Sequence, residues 1–348
     1  MSDFYNGYPL LNKLDINGNK PEIFICTSNR SAGKTTFFSK YLVDNYKKYH
    51  KKFGLLYRYN YELDDVSEKF FKDIGGLFFP NNCMESKRRA SGIFHELFLD
   101  GGSCGYAISI NSVDQLKKYS HLFSDIEHIM FDEFQTESGR YCNDEVKKFI
   151  SVHTTISRGK GKQVRYVPVY MVANPVSILN PYYLELGITE RLRSDTKFLK
   201  GDGFVLEQGF NMSASQAMET SGFNKAFAKN DYIAYAKEGV YLFDDKAFIE
   251  KPEGRCYYVM TIRYNNAEYG VLEYPDLGVM YVSNKPDKTC RLKVTVNYTD
   301  HDVNYIMLRQ NSYIIDNFRT YFEQGCFRFK NQQCKEALIK VLALRLKL

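Results

Sequence analysis

A run of small and hydroxyl residues followed by lysine, SNRSAGKTT at positions 28–36, carries the residue types of a phosphate-binding loop. Such a loop needs small residues so that backbone N–H groups can curl around phosphate oxygens, and a helix start adds its positive dipole end. In the GxxxxGK[ST] pattern, Lys34 would contact the β- and γ-phosphates of ATP and Thr35 would bind Mg²⁺. The first glycine of the pattern is replaced by serine. The candidate ATP-binding residues are Ser28, Asn29, Arg30, Ser31, Ala32, Gly33, Lys34, Thr35 and Thr36.

Two adjacent carboxylates, Asp132 and Glu133, follow an apolar run in the segment HIMFDEF. Ligands of open α/β sheets bind at the carboxyl ends of strands, so a strand through this run would place Asp132 beside bound Mg²⁺. A second carboxylate at a strand end suits activation of a water molecule, whereas small-molecule kinases usually need only the aspartate. The pair therefore predicts ATP hydrolysis, with Glu133 as the catalytic base. A chance GKT and an acidic turn are the alternatives.

A helical pattern over residues 143–158 ends at Arg158, which opens a basic loop. The positions predicted to share one face of that helix are Val146, Phe149, Ile150 and His153. In a ring of ATPases, an arginine in such a loop can stabilise transition-state charge in the neighbouring subunit, and Arg158 is the candidate for that role. A solvated basic loop is the alternative.

Asn174 follows the apolar segment VPVYMVA and is the remaining candidate for catalysis. An amide at the carboxyl end of this strand could hydrogen-bond the attacking water or the γ-phosphate. A turn-forming Asn-Pro pair is the alternative.

Strand and helix patterns around these groups predict an α/β fold. An apolar run precedes the phosphate loop, a helix follows it, and further strands precede Asp132 and Asn174, as a RecA/ASCE-like P-loop ATPase core requires. The core is predicted to span residues 1–207. A stretch rich in Ala, Ser and Lys, 208–239, is predicted to be a helical linker. Alternating strands followed by helices make 240–348 a smaller α+β domain, with GVYLF as its first strand and a meander of adjacent antiparallel strands after it.

Composition limits the class of protein. The chain has 348 residues, 44% hydrophobic and 25% charged, which is typical of a globular protein and not of a disordered or membrane-spanning one. The net charge of +6 is a mild excess that is compatible with a polyanionic partner. No secretory signal pattern is visible at the N-terminus, so we expect a cytoplasmic protein with no membrane partner.

Four segments together resemble the genome-packaging ATPases of small tailed phages of the phi-29 type, relatives of terminase large subunits. They are SNRSAGKTT, HIMFDEF, the helix ending at Arg158, and MVANPVSILNPYY. The resemblance implies a ring-forming motor, a homopentamer, that uses ATP and Mg²⁺ to push double-stranded DNA into a prohead through its portal vertex. It places the protein in the cytoplasm of the infected bacterial host and transiently at that vertex, with a packaging RNA as a further candidate partner.

The resemblance also implies roles for individual residues. Lys34, Thr35, Asp132 and Glu133 would carry catalysis. Arg30 would sense nucleotide or couple subunits, and Asn174 would couple hydrolysis to movement.

Motors of this kind often carry an RNase H-like nuclease after the ATPase core, with carboxylates that hold two metal ions. The strand RCYYVMTIRY has no carboxylate and carries Thr261 and Arg263 instead. We therefore expect a vestigial RNase H-like domain without nuclease activity. A rearranged cluster of Glu268, Glu273 and Asp276 is the alternative.

The basic run Lys87 to Arg89 is predicted to lie in a polar loop, where it could contact phosphates or simply be solvated. Two other functions remain open at this stage. A P-loop helicase or nucleic-acid remodelling ATPase would use the same catalytic residues. A non-catalytic nucleic-acid or capsid-binding protein would retain a decayed P-loop.

Overall fold

The structure is a computed structural model that describes residues 4–137, 141–178, 180–189, 191–192, 196–228, 232–233, 236, 249–323 and 326–346. By their contacts these residues form two compact units, the first from Met1–Val176 and Leu192–Val240, the second from Ser177–Arg191 and Tyr241–Leu348. The described residues of 208–239 thus group with the first unit, and those of 177–191 with the second. The division predicted at 207 and 239 stays a proposal. No helix in the described ranges has the length and apolar character needed to cross a membrane.

The strands of the first unit are β1 (Ile23–Thr27), β2 (Lys52–Tyr57), β3 (Met84–Arg89), β4 (Phe94–Leu99), β5 (Gly102–Ser109), β6 (Ile126–Asp132), β7 (Val169–Ala173), β8 (Phe198–Lys200) and β9 (Phe204–Gln208). The helices up to the second unit's sheet are α1 (Tyr8–Leu11), α2 (Lys34–Tyr49), α3 (Tyr61–Phe78), α4 (Val113–Leu116), α5 (Ser120–Phe123), α6 (Glu145–Ser157), α7 (Pro181–Glu185), α8 (Met212–Thr220) and α9 (Gly222–Ala226). Of these, α7 belongs to the second unit.

The nine-stranded sheet has the order β3-β4-β5-β2-β6-β7-β1-β9-β8. Strands β5, β2, β6, β7, β1 and β9 run parallel, and the outer strands pair antiparallel. The central strands are apolar along nearly their whole length, as parallel strands buried on both faces must be. Because β7 lies between β1 and β6, the loops after all three strands meet at one edge of the sheet. The predicted α/β fold of the RecA/ASCE P-loop type is confirmed.

Helix α2 packs on this sheet through apolar residues at helical spacing. Phe38 and Leu42 are fully buried, and Phe37 and Tyr41 pack against the same core from its margin. Full burial of a side chain such as Phe38 contributes roughly 1.5–3 kcal/mol. The helix that begins with Lys34 is therefore fixed against the sheet by its own apolar face.

The predicted buried face of α6 is wrong at one position. Ile150 is 52% exposed, while Phe149, Val152 and Ile156 are buried. These three residues and the buried Glu145 recur at steps of three and four, so they form a single stripe along the helix. Ile150 lies one residue off that stripe, which turns its side chain to the solvent.

The basic run Lys87 to Arg89 does not lie in a loop, as predicted, but forms the end of strand β3. This strand pairs antiparallel with β4, with Lys87 opposite Glu96 and Arg89 opposite Phe94. β3 is the edge of the sheet, where charged side chains discourage pairing with another chain. An edge strand of this kind has few apolar residues, and the sequence pattern therefore resembles a loop.

The second unit contains β10 (Tyr257–Tyr264), β11 (Ala267–Tyr274), β12 (Val279–Ser283), β13 (Lys293–Thr295), β14 (Ile306–Met307), β15 (Phe327–Phe329), α10 (Asp316–Glu323) and α11 (Gln332–Leu346). Its sheet has the order β14-β13-β10-β11-β12-β15. The predicted meander holds for β10, β11 and β12, but β13 pairs parallel with β10, not antiparallel as predicted. A central first strand with antiparallel strands on one side and parallel strands on the other is the RNase H-like arrangement. The predicted strand GVYLF lies outside the described residues.

Candidate active site

The loop between β1 and α2 has the backbone that a phosphate-binding loop requires. Gly33 caps α2 with a φ of +90°, and Ser31 also has a positive φ of 59°. A side chain at Gly33 would be strained at this φ, and its Cβ would come within 3.3 Å of the Phe4 ring. Only glycine fits there, immediately before the helix N-terminus that would face an anion.

Lys34 is buried, and its ammonium group is held inside the loop. Its Nζ donates to Ser28 O at 2.9 Å, to Ser28 Oγ at 3.0 Å and to Asn29 O at 3.0 Å. Nζ also donates to Asn174 Oδ1 at 3.2 Å. Burial lowers the pKa of Lys34 below its ordinary value, and the Arg30 cation acts in the same direction. The structure therefore brings Asn174 to the loop that holds Ser28 and Lys34, although Asn174 and Lys34 lie 140 positions apart in sequence.

Thr35 and Asp132 meet at the same edge. Thr35 Oγ1 donates to Asp132 Oδ1 at 3.2 Å, and Asp132 ends β6. A hydroxyl and a carboxylate at this separation are oxygen ligands of the kind that Mg²⁺ takes together with substrate phosphates. These residues, with the left-handed glycine and the buried lysine of the loop, fit a Mg²⁺–ATP complex.

The carboxyl group of Asp132 is electrostatically perturbed. Burial and the neighbouring Glu133 raise the pKa of Asp132 to about 6, against the lowering effects of Thr35, of the Glu133 N–H and of Lys34. Near neutral pH the carboxyl group is thus charged, although burial and Glu133 make its charged form unfavourable. A cation bound beside it would stabilise that charged form.

Glu133 has an unusual backbone. Its φ is 54°, in the left-handed region that residues other than glycine adopt infrequently. Its N–H donates to Asp132 Oδ1 at 3.0 Å, and its side chain is exposed. The carboxylate pair predicted from sequence is therefore placed with both groups at the carboxyl end of β6.

A buried ion pair lies behind this carboxylate pair, and sequence reasoning missed it. Arg58, directly after β2, bonds through Nε to Glu145 Oε2 at 2.9 Å, and both side chains are almost fully buried. The guanidinium also donates to the backbone oxygens of Glu133 and Phe134. Arg58 lies within the segment YRYNYEL, in which no local pattern marks an arginine that will be buried.

The side chains of Asn29 and Arg30 point away from the loop and toward other parts of the first unit. Asn29 Nδ2 donates to Asn211 O at 3.0 Å, and Asn211 N donates to Asn29 Oδ1 at 2.8 Å. Arg30 Nη1 lies 2.7 Å from Glu137 Oε1 and also bonds to the hydroxyl of Tyr232. Both side chains thus bond to the segment 208–239, which is predicted to be a linker.

The N-terminal segment supports the loop from outside. Tyr5 N donates to Ala32 O at 2.7 Å, and the Tyr5 hydroxyl donates to Glu207 Oε2 at 2.6 Å. Burial raises the pKa of Glu207. This support was also missed, because a tyrosine and a glutamate far apart in sequence give no local pattern.

Arg158 is not brought to this site. It caps the C-terminal end of α6, and the loop that it opens contacts the start of β6, where Lys160 Nζ lies 3.1 Å from Glu127 Oε1. Asp132 ends the same seven-residue strand, roughly 20 Å away at about 3.3 Å per residue. Arg158 is exposed, and no hydrogen bond or ion pair holds it within the part of the chain that the structure describes.

In the second unit, the guanidinium group of Arg263 lies between two carboxylates. Arg263 Nη1 lies 2.6 Å from Asp302 Oδ2, and its Nη2 lies 3.3 Å from Glu268 Oε1. The guanidinium stacks 3.7 Å from the centre of the Tyr305 ring, and the Tyr305 hydroxyl bonds to Glu268. Both carboxylates are thus ion-paired with one fixed cation.

The alternative carboxylate cluster does not form. Glu273 accepts a hydrogen bond from the Tyr321 hydroxyl at 2.9 Å, and Asp276 pairs with Arg255 at 3.0 Å. Across the described ranges, no group of three or more His, Cys, Asp or Glu side chains could hold a metal ion.

The model of the podovirus DNA encapsidation protein (Gp16) family matches residues 2–345 of the chain. The chain belongs to this family. The DNA packaging protein of Bacillus phage phi29 is 26% identical over 307 residues, which cover 87% of this chain and 88% of that protein. The DNA packaging protein of Bacillus phage B103 is 23% identical over 309 residues, 87% of this chain and 91% of that protein. The family predicted from the four sequence segments is confirmed.

Two solved structures have a similar fold. A chain of the bacteriophage phi29 viral genome packaging motor assembly aligns with a TM-score of 0.55 at 22% identity, over 99% of both chains. A chain of the Phi-28 gp11 DNA packaging motor aligns with a TM-score of 0.58 at 16% identity, over 100% of this chain and 99% of that one. At these identities the likeness shows that this encapsidation protein shares their fold.

Proposed function

We propose that this chain hydrolyses ATP with Mg²⁺ to translocate double-stranded viral DNA into a prohead, as one subunit of a homo-oligomeric ring. The observation that carries the proposal is the convergence of two motifs at one sheet edge. Thr35 Oγ1 lies 3.2 Å from Asp132 Oδ1, and Lys34 Nζ lies 3.2 Å from Asn174 Oδ1. This site belongs to a chain of the DNA encapsidation family.

Each residue of the site then has a task. Backbone N–H groups of the loop and the start of α2 bind the phosphates, and Lys34 exchanges main-chain acceptors for phosphate oxygens. Thr35 and Asp132 would hold Mg²⁺, and a bound Mg²⁺ would neutralise phosphate charge. Glu133 accepts a proton from the attacking water. Asn174, which already contacts Lys34, links the nucleotide to the segment after β7.

A ring explains the position of Arg158. The residue lies at the amino end of β6, on the side of the sheet opposite its own carboxylate pair, so it cannot reach the ATP bound by the same chain. An exposed arginine at this place can instead act on the site of a neighbouring subunit. We propose a pentamer that docks on the portal of the prohead, with a packaging RNA as a further partner, in the cytoplasm of the infected bacterium.

The direct test compares two variants in which a carboxylate of the first unit is replaced by an amide. Glu133→Gln should bind Mg²⁺–ADP as the wild type does and lose DNA-stimulated turnover by about 10²-fold or more. Asp73→Asn, at an exposed position of α3, is the matched control and should retain turnover. Unchanged turnover in Glu133→Gln would remove this residue from its role.

The alternatives give different outcomes. A helicase would separate the strands of a forked duplex, and a packaging motor would move duplex DNA without separating it. A protein with a decayed P-loop would show no turnover above background with or without DNA.

A further inference from the structure

The loop that carries Glu133 is held from behind by one guanidinium group. Arg58 follows β2, the neighbour of β6 in the sheet. Its Nη1 and Nη2 lie 3.3 Å from Glu133 O, and Nη2 lies 2.9 Å from Phe134 O. Arg58 thus donates to the carbonyl oxygens of two consecutive residues that directly follow Asp132.

Glu145 fixes this guanidinium in turn. Arg58 Nε lies 2.9 Å from Glu145 Oε2, and Nη2 lies 3.0 Å from Glu145 Oε1, in a two-pronged pair. The side chains are only 6% and 1% exposed. Glu145 Oε2 also accepts a hydrogen bond from the backbone N–H of Cys142 at 2.7 Å. A planar guanidinium group that is bound at two positions has a fixed orientation. Its remaining N–H groups, which point at the Glu133 loop, are therefore fixed as well.

The direction of the Glu133 side chain depends on this backbone. Glu133 has a φ of 54°, a left-handed conformation that a non-glycine residue keeps only where its surroundings fix it. The carboxylate itself is exposed, and no side-chain hydrogen bond orients it among the residues that the structure describes. We propose that Arg58, held by Glu145, is a positioning residue that sets the direction of the Glu133 carboxylate. This proposal rests on the proposed function, in which Glu133 is the catalytic base.

The test separates positioning from folding. Removal of one partner would leave a buried charge unpaired, which strongly destabilises proteins. Two other changes avoid that problem. Arg58→Lys keeps the positive charge but loses the two-point hydrogen bonding of the guanidinium group, and the double variant Arg58→Met with Glu145→Gln removes both charges. Both should bind Mg²⁺–ADP as the wild type does and lose turnover by about 100-fold, because a small displacement of a reacting group has effects of this size.

A second readout needs no nucleotide. In the free full-length protein, amide hydrogen exchange over residues 131–137 should be faster in both variants than in the wild type. If the wild type itself shows no ATP turnover, the proposed function fails, while the exchange measurement still tests whether Arg58 holds the Glu133 loop.

The same strand offers a matched control. Lys52 Nζ lies 2.7 Å from Asp125 Oδ2 at the other end of β2. The double variant Lys52→Met with Asp125→Asn should leave both turnover and exchange over residues 131–137 unchanged. Turnover within about threefold of wild type in the Arg58 variants, with unchanged exchange, would overturn the proposal. Equal losses in the Lys52 variant would also overturn it, because the effect would then be general destabilisation.

Discussion

Replacement of Asp132 by asparagine should stabilise the nucleotide-free protein at neutral pH while removing its function. The folded structure raises the pKa of Asp132 from its ordinary 3.8 to about 6, chiefly by burial. Because the folded pKa is the higher one, the carboxyl group favours folding most below pH 3.8, and this contribution is lost as the pH rises to about 6. A difference of about two pH units in pKa corresponds to about 3 kcal/mol of unfolding free energy.

Asparagine does not titrate, and its Oδ1 can still accept from Thr35 and from the N–H of residue 133. The difference in unfolding free energy, variant minus wild type, should therefore grow by up to about 3 kcal/mol between pH 4 and pH 7. Urea unfolding followed by circular dichroism at a series of pH values measures this difference, and titrating groups that do not interact with Asp132 cancel in the comparison. Isothermal titration should show that Asp132→Asn weakens Mg²⁺–ADP binding. A stability difference that is flat between these pH values, or that falls, would refute the reasoning.

Three further predictions concern other parts of the chain. Arg158→Ala subunits mixed into wild-type rings should reduce DNA-stimulated turnover by more than their share, and a strictly proportional loss would argue against action across an interface. Phe149→Ala should cost about 3–5 kcal/mol in denaturant unfolding because this buried ring stacks 5.9 Å from Phe131; Ile150→Ala, on the exposed side of α6, should change stability by no more than about 0.5 kcal/mol. The full-length protein with Mn²⁺ should not nick plasmid DNA, because Arg263 already pairs with the carboxylates of Asp302 and Glu268 in the second unit. Robust cleavage would contradict this prediction.

Local patterns in the sequence were enough to locate the candidate site. A phosphate loop depends on neighbouring small residues and a lysine, and the carboxylate pair depends on an apolar run that ends at Asp132. Parallel strands present their carboxyl ends at one edge, so the order of the motifs along the chain already predicts that the loop and the acids meet. The contact between Thr35 and Asp132 agrees with that prediction.

Patterns weaken where burial does not follow local polarity. The charged strand β3 resembles a loop because an edge strand needs few apolar residues, and the stripe of α6 includes the buried Glu145 and leaves out Ile150. A glutamate normally indicates a solvated position, so no periodicity marks one that is buried with a partner.

The sequence by itself thus determined the fold class and the family and named the candidate residues for nucleotide binding, because these depend on short segments and their order. Only the tertiary structure decided how those residues are held. Arg58 and Glu145 lie 87 positions apart, and they meet because β2 is the neighbour of β6 while α6 starts beside both. Tertiary structure also placed Arg158 at the opposite edge of the sheet from Asp132, since helix α6 and strand β6 each extend about 20 Å and separate the two groups.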